Sequence, residues 1–72
     1  MQFPRMATVE VYEGESETPS FIGDFDFLPR VGEYLSTEAE GYFRYLNIAE
    51  VWHRQDSATG RFTACLRVQQ DD

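Results

Sequence analysis

Short runs in which apolar and polar residues alternate recur along this chain. Two of them, residues 6–12 and 61–69, combine the period-two pattern with β-branched residues, which is typical of half-buried strands. The positions predicted to face the core in these two strands are Ala7, Val9, Val11, Phe62, Ala64, Leu66 and Val68. Cys65 is predicted on the opposite face of the last strand.

A third alternating run covers residues 21–27. Its phenylalanines share one face, while Asp24 and Asp26 lie on the other. Gly23 predicts a bulge inside this strand. The polar connection at 14–20 predicts a hairpin between this strand and the first one.

The segment LPRVG at residues 28–32 predicts a turn. Pro29 pre-sets φ and removes a backbone donor, and Gly32 permits a positive φ. A short strand over 34–36 follows.

The next stretch admits two interpretations. Thr37 and Glu40 have the spacing of a capping box, and apolar residues recur at helical spacing, so a helix over 38–50 is one of them. The alternative is a long strand over 42–54, which the aromatic and β-branched residues and Gly41 favour.

The strand interpretation requires an irregularity. Phe43 and Tyr45 occupy odd-numbered positions, whereas Leu46 and Ile48 occupy even-numbered ones. The apolar residues after them return to odd-numbered positions. One face of a regular strand cannot hold all of them, so we expect a bulge or sharp bend near 47–49.

These patterns together predict an all-β fold. We expect a small five-stranded antiparallel barrel or bent sheet with SH3-like architecture. The length of 72 residues is enough for a single domain over 1–72 and no second one. Such a chain buries only roughly 60% of its unfolded surface, so the core is expected to be thin.

One stretch resembles a known group of proteins. The run FDFLPRVGEYL, an aromatic-rich strand ending in Val51-x-His53, and a terminal amphipathic strand are similar to small uncharacterised bacterial and phage proteins. Those proteins carry an "lPrvGd" turn and a "yrVvrVeH" strand. The resemblance covers roughly residues 25–69 and departs from the pattern at Glu33 and Trp52. It implies an SH3-like barrel and a bacterial, phage or mobile-element source, and it implies no activity.

The formal net charge of -7 is unevenly distributed. Residues 1–40 hold nine acidic side chains against two arginines, whereas 41–72 hold four of each. Binding to a phosphate backbone depends on clustered positive charge, so the overall balance disfavours it. The acidic first half predicts attraction to a basic partner.

The chain has a single cysteine, Cys65, and therefore no intramolecular disulfide. This fits a reducing compartment. The chain has no apolar run of signal-peptide or membrane-spanning length, and we expect it to be cytoplasmic.

The residues that could bind a metal or act as a nucleophile lack the neighbouring groups that such sites require. His53 is the only histidine and Asp56 is its nearest carboxylate, whereas zinc takes three or four protein ligands. We therefore expect His53 to cap one end of the barrel. Cys65 has no visible base and is expected at a second packing surface or a subunit contact.

Three acidic residues, Asp24, Asp26 and Glu33, have the composition of a general acid–base group. The two aspartates are more typical of a solvated edge strand. The sequence therefore predicts a non-enzymatic protein with no catalytic residue, no metal and no cofactor.

The aromatic residues of the second half point to binding. Exposed rings flanked by arginines have the chemistry of a protein contact hot spot; the alternative is a second small core under the 36–41 loop. The predicted partner-binding residues are Tyr42, Tyr45, Trp52, Arg44, Arg54, Glu13, Glu15 and Glu17.

Two binding functions follow from these residues. The first is contact with another protein, with self-association through an edge strand as a further expectation. The second is a single-stranded nucleic-acid-binding barrel, in which tyrosine and tryptophan stack on bases. The basic residues for that function would be Arg44, Arg54, Arg61 and Arg67.

Overall fold

The computed structural model describes residues 7–70, which form one five-stranded sheet without a helix. The strands are β1 (Ala7–Glu13), β2 (Phe21–Phe25), β3 (Tyr34–Ala39), β4 (Tyr42–Gln55) and β5 (Phe62–Gln70). Their order across the sheet is β2-β1-β5-β4-β3. The sheet is strongly curled into a half-barrel, which confirms the prediction of an all-β bent sheet.

One pairing differs from the predicted antiparallel arrangement. The pairs β1–β2, β3–β4 and β4–β5 are antiparallel, but β1 and β5 run parallel. The alternation within a strand is the same whichever way its neighbour runs, so it carries no information about direction.

The core covers one face of the sheet, which we call the inner face. Its fully buried members come from the three central strands: Val9, Val11, Leu46, Ile48, Leu66 and Val68. Phe25 and Leu35 pack against them from the two edge strands. The alternation predicted for β1 and for the second half of β5 is therefore confirmed.

The start of β5 departs from the prediction. Phe62 has the parity of the core but is 65% exposed, because it pairs with Gln55 at the end of the sheet. Among residues 7–70, no strand lies beyond that pair to cover the ring.

A bulge in β4 resolves its change of parity. The pairing with β5 shifts register between Ile48 and Glu50, so Ala49 is the extra residue. Before it, Leu46 and Ile48 face the core; after it, Val51 does. This confirms the bulge expected near 47–49.

The helix interpretation of 38–50 is wrong. β3 and β4 instead form a hairpin closed by the pair Ala39–Tyr42. Its two-residue loop, Glu40 and Gly41, has φ values of 54° and 84°. Positive φ at both positions is the requirement of a type I′ turn, whose twist matches that of a hairpin.

The bulge predicted at Gly23 is also absent, since β1 and β2 pair in unbroken register with Gly23 opposite Val9. Gly23 is needed for space instead. A Cβ there would lie 3.3 Å from the Phe25 ring, so the missing side chain leaves room for that ring to pack on the core.

The segment 26–33 connects the two edge strands and therefore spans the open side of the half-barrel. Pro29 is buried there. The turn closes with the Glu33 N–H donating to the Arg30 carbonyl at 3.1 Å. Gly32 at its third position has a φ of 94°, which confirms the predicted positive φ and fits a type II turn.

Candidate interaction surface

Among the residues that the structure describes, the β3–β4 hairpin extends beyond the other strands of the sheet. The last described pairing of β5 is Gln70 with Leu46, so within the described chain residues 42–45 pair only with β3. We call residues 36–45 the arm. It is a two-stranded projection at the end of the sheet where β1 and β5 also finish.

Four aromatic rings are exposed on the arm and at its base. The exposed fractions are 57% for Tyr34, 76% for Tyr42, 61% for Phe43 and 53% for Tyr45. Register places Tyr34, Phe43 and Tyr45 on the face opposite the core, which we call the outer face, and Tyr42 on the other. Rings therefore flank the arm on both faces.

Sequence reasoning found Tyr42 and Tyr45 but missed Tyr34 and Phe43. The signal that reveals them is Glu40-Gly41, because a glycine after a polar residue between two alternating runs indicates a two-residue hairpin. Once the hairpin is recognised, its register places Tyr34 and Phe43 on the same face as Tyr45.

Acidic side chains lie at the same end of the sheet. Glu13 ends β1, and its carboxylate accepts a hydrogen bond from Arg44 of the arm at 3.1 Å. Glu15 and Glu17 follow in an exposed loop, which the Gly14 N–H fastens to the Val68 carbonyl at 3.0 Å.

Glu38 and Glu40, both exposed, add to this charge from the arm itself. Neither makes an ion pair among the described residues. The register thus brings the predicted acidic residues and two of the predicted aromatic ones to one end of the molecule.

Trp52 lies elsewhere, in the middle of the outer face. It is half-buried, and its ring centroid is 5.2 Å from that of Tyr12. The Arg67 guanidinium covers both rings, 5.4 Å from the Trp52 centroid and 5.6 Å from the Tyr12 centroid. These cation–π contacts hold Trp52 within the fold, so its ring is only partly accessible to a partner.

Arg67 also fixes the 14–20 loop. Its guanidinium donates to the Gly14 carbonyl at 2.8 Å and the Ser16 carbonyl at 2.9 Å, and to the Glu50 carboxylate at 3.0 Å. This arginine therefore joins the outer face, the acidic loop and β4.

Glu10 is the centre of a second polar group on the outer face. Its carboxylate accepts hydrogen bonds from Arg54 at 2.6 Å and from the Tyr12 hydroxyl at 2.9 Å, and the Cys65 thiol lies 3.6 Å away. The hydrogen bond from Arg54 lowers the pKa of Glu10 below its ordinary value. Burial, followed by the charge of Glu10, raises the pKa of the Cys65 thiol.

Cys65 is fully buried on the outer face, as expected for a second packing surface. A raised pKa lowers the thiolate fraction at neutral pH, and the thiolate is the nucleophilic form. Arg54, predicted to bind a partner, is held in the fold by Glu10.

Most arginines of the described chain are paired with carboxylates. Of the five arginines within residues 7–70, four make ion pairs, namely Arg30 with Glu33, Arg44 with Glu13, Arg54 with Glu10 and Arg67 with Glu50. Arg61 makes none among these residues. The arginines thus neutralise neighbouring acids rather than forming a positive surface.

The other candidates for chemistry are dispersed. His53 and Asp56 line an open cleft of about 640 Å³ at the end of the sheet opposite the arm, and none of the side-chain hydrogen bonds found within 7–70 involves His53. Asp24 accepts from the Thr8 hydroxyl at 2.9 Å. Glu33 belongs to the 30–33 turn, where its carboxylate accepts from the Arg30 N–H at 3.0 Å.

Over residues 7–70, no group of three or more histidine, cysteine, aspartate or glutamate side chains could hold a metal ion. In the same range there is no helix with the length and apolar character needed to cross a membrane. Comparisons with models of protein families, with curated protein sequences and with solved structures give no match to this chain.

Proposed function

We propose that this protein is a non-enzymatic interaction module that binds a basic segment of another protein through the arm. The observation that carries the proposal is the concentration of exposed aromatic rings on a projecting hairpin that is surrounded by acidic side chains. Exposed large rings anchor protein contacts because each contributes a large apolar area with little loss of side-chain entropy.

The charge of this end selects the class of partner. Glu15, Glu17, Glu38 and Glu40 are exposed there, and Arg44 is paired with Glu13. A negative field of this kind favours lysine- or arginine-rich partners and repels nucleic acid. The pairing of the other arginines argues in the same direction, since a phosphate backbone needs accessible positive charge.

We extend the proposal to source and location. The resemblance of residues 25–69 to small bacterial and phage proteins supports a bacterial or phage source. The single, buried Cys65 is compatible with the reducing interior of a cell.

The test is a titration of the isotope-labelled protein, monitored through its amide chemical shifts by NMR. The probes are a short peptide in which lysine alternates with valine, the same peptide with glutamate in place of lysine, and a single-stranded oligothymidine. We expect only the lysine peptide to bind, with shifts concentrated on residues 34–45.

Matched variants locate the contact. Tyr42→Ser combined with Tyr45→Ser should weaken binding by about tenfold or more, because hot-spot rings each contribute over about 1 kcal/mol. Phe62→Ser removes a comparably exposed ring at the other end of the sheet and should leave binding unchanged. Preferential binding of oligothymidine, or equal effects of the two variants, would contradict the proposal.

A further inference from the structure

The free edge of β3, the side that does not pair with β4, has backbone groups that form no hydrogen bonds to another described strand. β3 is an edge strand, and it pairs only with β4 among the described elements. Its six residues contain no proline, and its register with β4 is regular from end to end. Of the devices that protect natural edge strands, proline and a bulge are absent over Tyr34–Ala39, and one charged side chain, Glu38, is present.

The hydrogen bonds at the start of β3 identify which backbone groups are free. The Ile48 N–H donates to the Glu33 carbonyl at 2.9 Å, and the Gly32 N–H donates to the Ile48 carbonyl at 3.0 Å. Bonded and non-bonded pairs alternate along an antiparallel ladder. The residues whose N–H and C=O point away from β4 are therefore Tyr34, Ser36 and Glu38.

A cavity adjoins this edge on its inner side. It has a volume of about 540 Å³ and lies between the two edge strands, lined by Phe25 of β2, Leu35 of β3 and the connecting Phe27, Leu28 and Pro29. Arg30, Glu33 and Tyr34 complete the lining, which therefore combines apolar and polar groups. The gap between the edges thus offers space for a side chain entering from a strand beside β3.

The other edge strand, β2, is less suited to pair with an added strand. It has five residues with Gly23 at its centre, and a glycine inside a strand weakens it.

The geometry points to strand addition on β3: an extended, basic segment of a partner protein pairs with Tyr34–Ala39 and extends the sheet beyond β3. This inference rests on the proposed function and specifies its mode. Main-chain hydrogen bonds supply the affinity, and alternate side chains supply the specificity. An apolar side chain enters the cavity, while lysine or arginine on the outer face meets Glu38.

Charge favours a basic segment over a second copy of the chain as the strand that pairs with β3. Each copy has a formal net charge of -7, and the arm end carries an excess of it, so pairing two β3 strands would bring two negative ends together. A basic strand has the opposite sign and is attracted by the same field.

Ser36→Pro tests the inference directly. The Ser36 N–H faces the free edge, so proline removes a donor for the added strand without removing a bond to β4; edge strands accept proline in this position. We expect the affinity for the lysine–valine peptide to fall about tenfold or more, since proline removes one hydrogen bond and obstructs approach to the edge. Ser36→Thr keeps the N–H and should bind like the parent.

A second arm of the experiment uses the unmodified protein, so it does not depend on the folding of Ser36→Pro. Two peptides are compared, each carrying N-methyl groups on alternate residues, one set displaced by a single residue from the other. Strand addition requires that one peptide loses binding while the other keeps it, because only alternate N–H groups face β3.

The outcomes separate the two proposals. Loss of binding in Ser36→Pro and in one methylated peptide supports strand addition. Undiminished binding in both arms overturns strand addition and leaves the proposed function standing. Failure of the parent to bind the lysine peptide at all overturns both. A parent dimer that Ser36→Pro converts to a monomer, measured by sedimentation, assigns the edge to a second copy and overturns the peptide as its occupant.

Discussion

Glu10 lies at the centre of a second packed region, on the outer face of the sheet. A small inner core of aliphatic side chains covers one side only. On the other side, the Glu10 carboxylate bridges Arg54 and Tyr12 beside the buried Cys65. Its side chain is only 12% exposed, so its hydrogen bonds are shielded from water and contribute more than those of a surface ion pair.

Glu10→Gln should lower the free energy of unfolding by about 1 kcal/mol at pH 7, since the charged acceptor of two hydrogen bonds is lost. The pKa of Glu10 in the folded state is lowered, chiefly by the hydrogen bond from Arg54. Its contribution is therefore fully present above the unfolded pKa of about 4.3 and is lost as pH falls through the lower folded pKa. Urea unfolding at pH 7 and at successively lower pH should show the two proteins converging.

The control is Glu38→Gln, which alters an exposed glutamate without an ion pair in the described chain. It should leave the free energy of unfolding at pH 7 nearly unchanged. Equal effects of the two substitutions would mean that the Glu10 contacts do not stabilise the fold.

Leu66→Ala and Phe62→Ala should differ although both lie on β5 with core parity. Leu66 is fully buried, and its truncation should cost about 2–5 kcal/mol, which is enough to unfold a domain of this size. Phe62 is largely exposed, so its truncation should cost less than about 1 kcal/mol. Thermal or urea unfolding measures both, and a loss at Phe62 as large as at Leu66 would show that the ring is covered in solution.

At the scale of elements, the arm depends on its turn. Thr37 and Glu40 have capping-box spacing, yet they lie in a hairpin, because a helix would leave the β-branched and aromatic residues of β4 without sheet partners. Glu40 adopts the left-handed conformation with a φ of 54°. That conformation is unfavourable for a residue with a Cβ, by about 1 kcal/mol or more.

Glu40→Asn should therefore stabilise the protein by about 0.5–1 kcal/mol, since Asn-Gly is the preferred type I′ sequence and asparagine tolerates positive φ. Glu40→Gln removes the same charge without this preference and serves as the control. Equal stability of the two variants in urea unfolding would attribute any gain to charge rather than to backbone conformation.

At the scale of the molecule, the topology gathers several exposed glutamates at one end of the sheet. The acidic loop and the arm lie at one end, and the connection between β4 and β5 lies at the other. The negative field should set the association rate of a basic partner, whereas the rings set its residence time.

Glu15→Lys combined with Glu17→Lys should slow association of the lysine–valine peptide by roughly three- to tenfold and flatten its dependence on salt. Stopped-flow fluorescence with a labelled peptide measures both quantities. Asp24→Lys combined with Asp26→Lys makes the same change in net charge at the opposite end of the sheet. If that pair slowed association equally, net charge rather than its position would control the rate.

The sequence by itself determined the local features of this protein. Alternation identified β1, β2 and β5, and the conflict of parity in β4 required a bulge or a bend. The LPRVG turn predicted a positive φ at Gly32. Each of these depends on neighbouring residues along the chain, where period two and turn chemistry act directly.

Only the tertiary structure decided which strands are neighbours, and with that the binding surface. The parallel pairing of β1 with β5 buries Cys65 and places Glu10 beside Arg54, residues 44 positions apart in the chain. Within residues 7–70, β5 pairs with β4 only as far as Leu46, Phe43 is exposed, and β3 lies at an edge of the sheet. Burial and edge position depend on contacts between distant segments, and alternation along one strand does not predict those contacts.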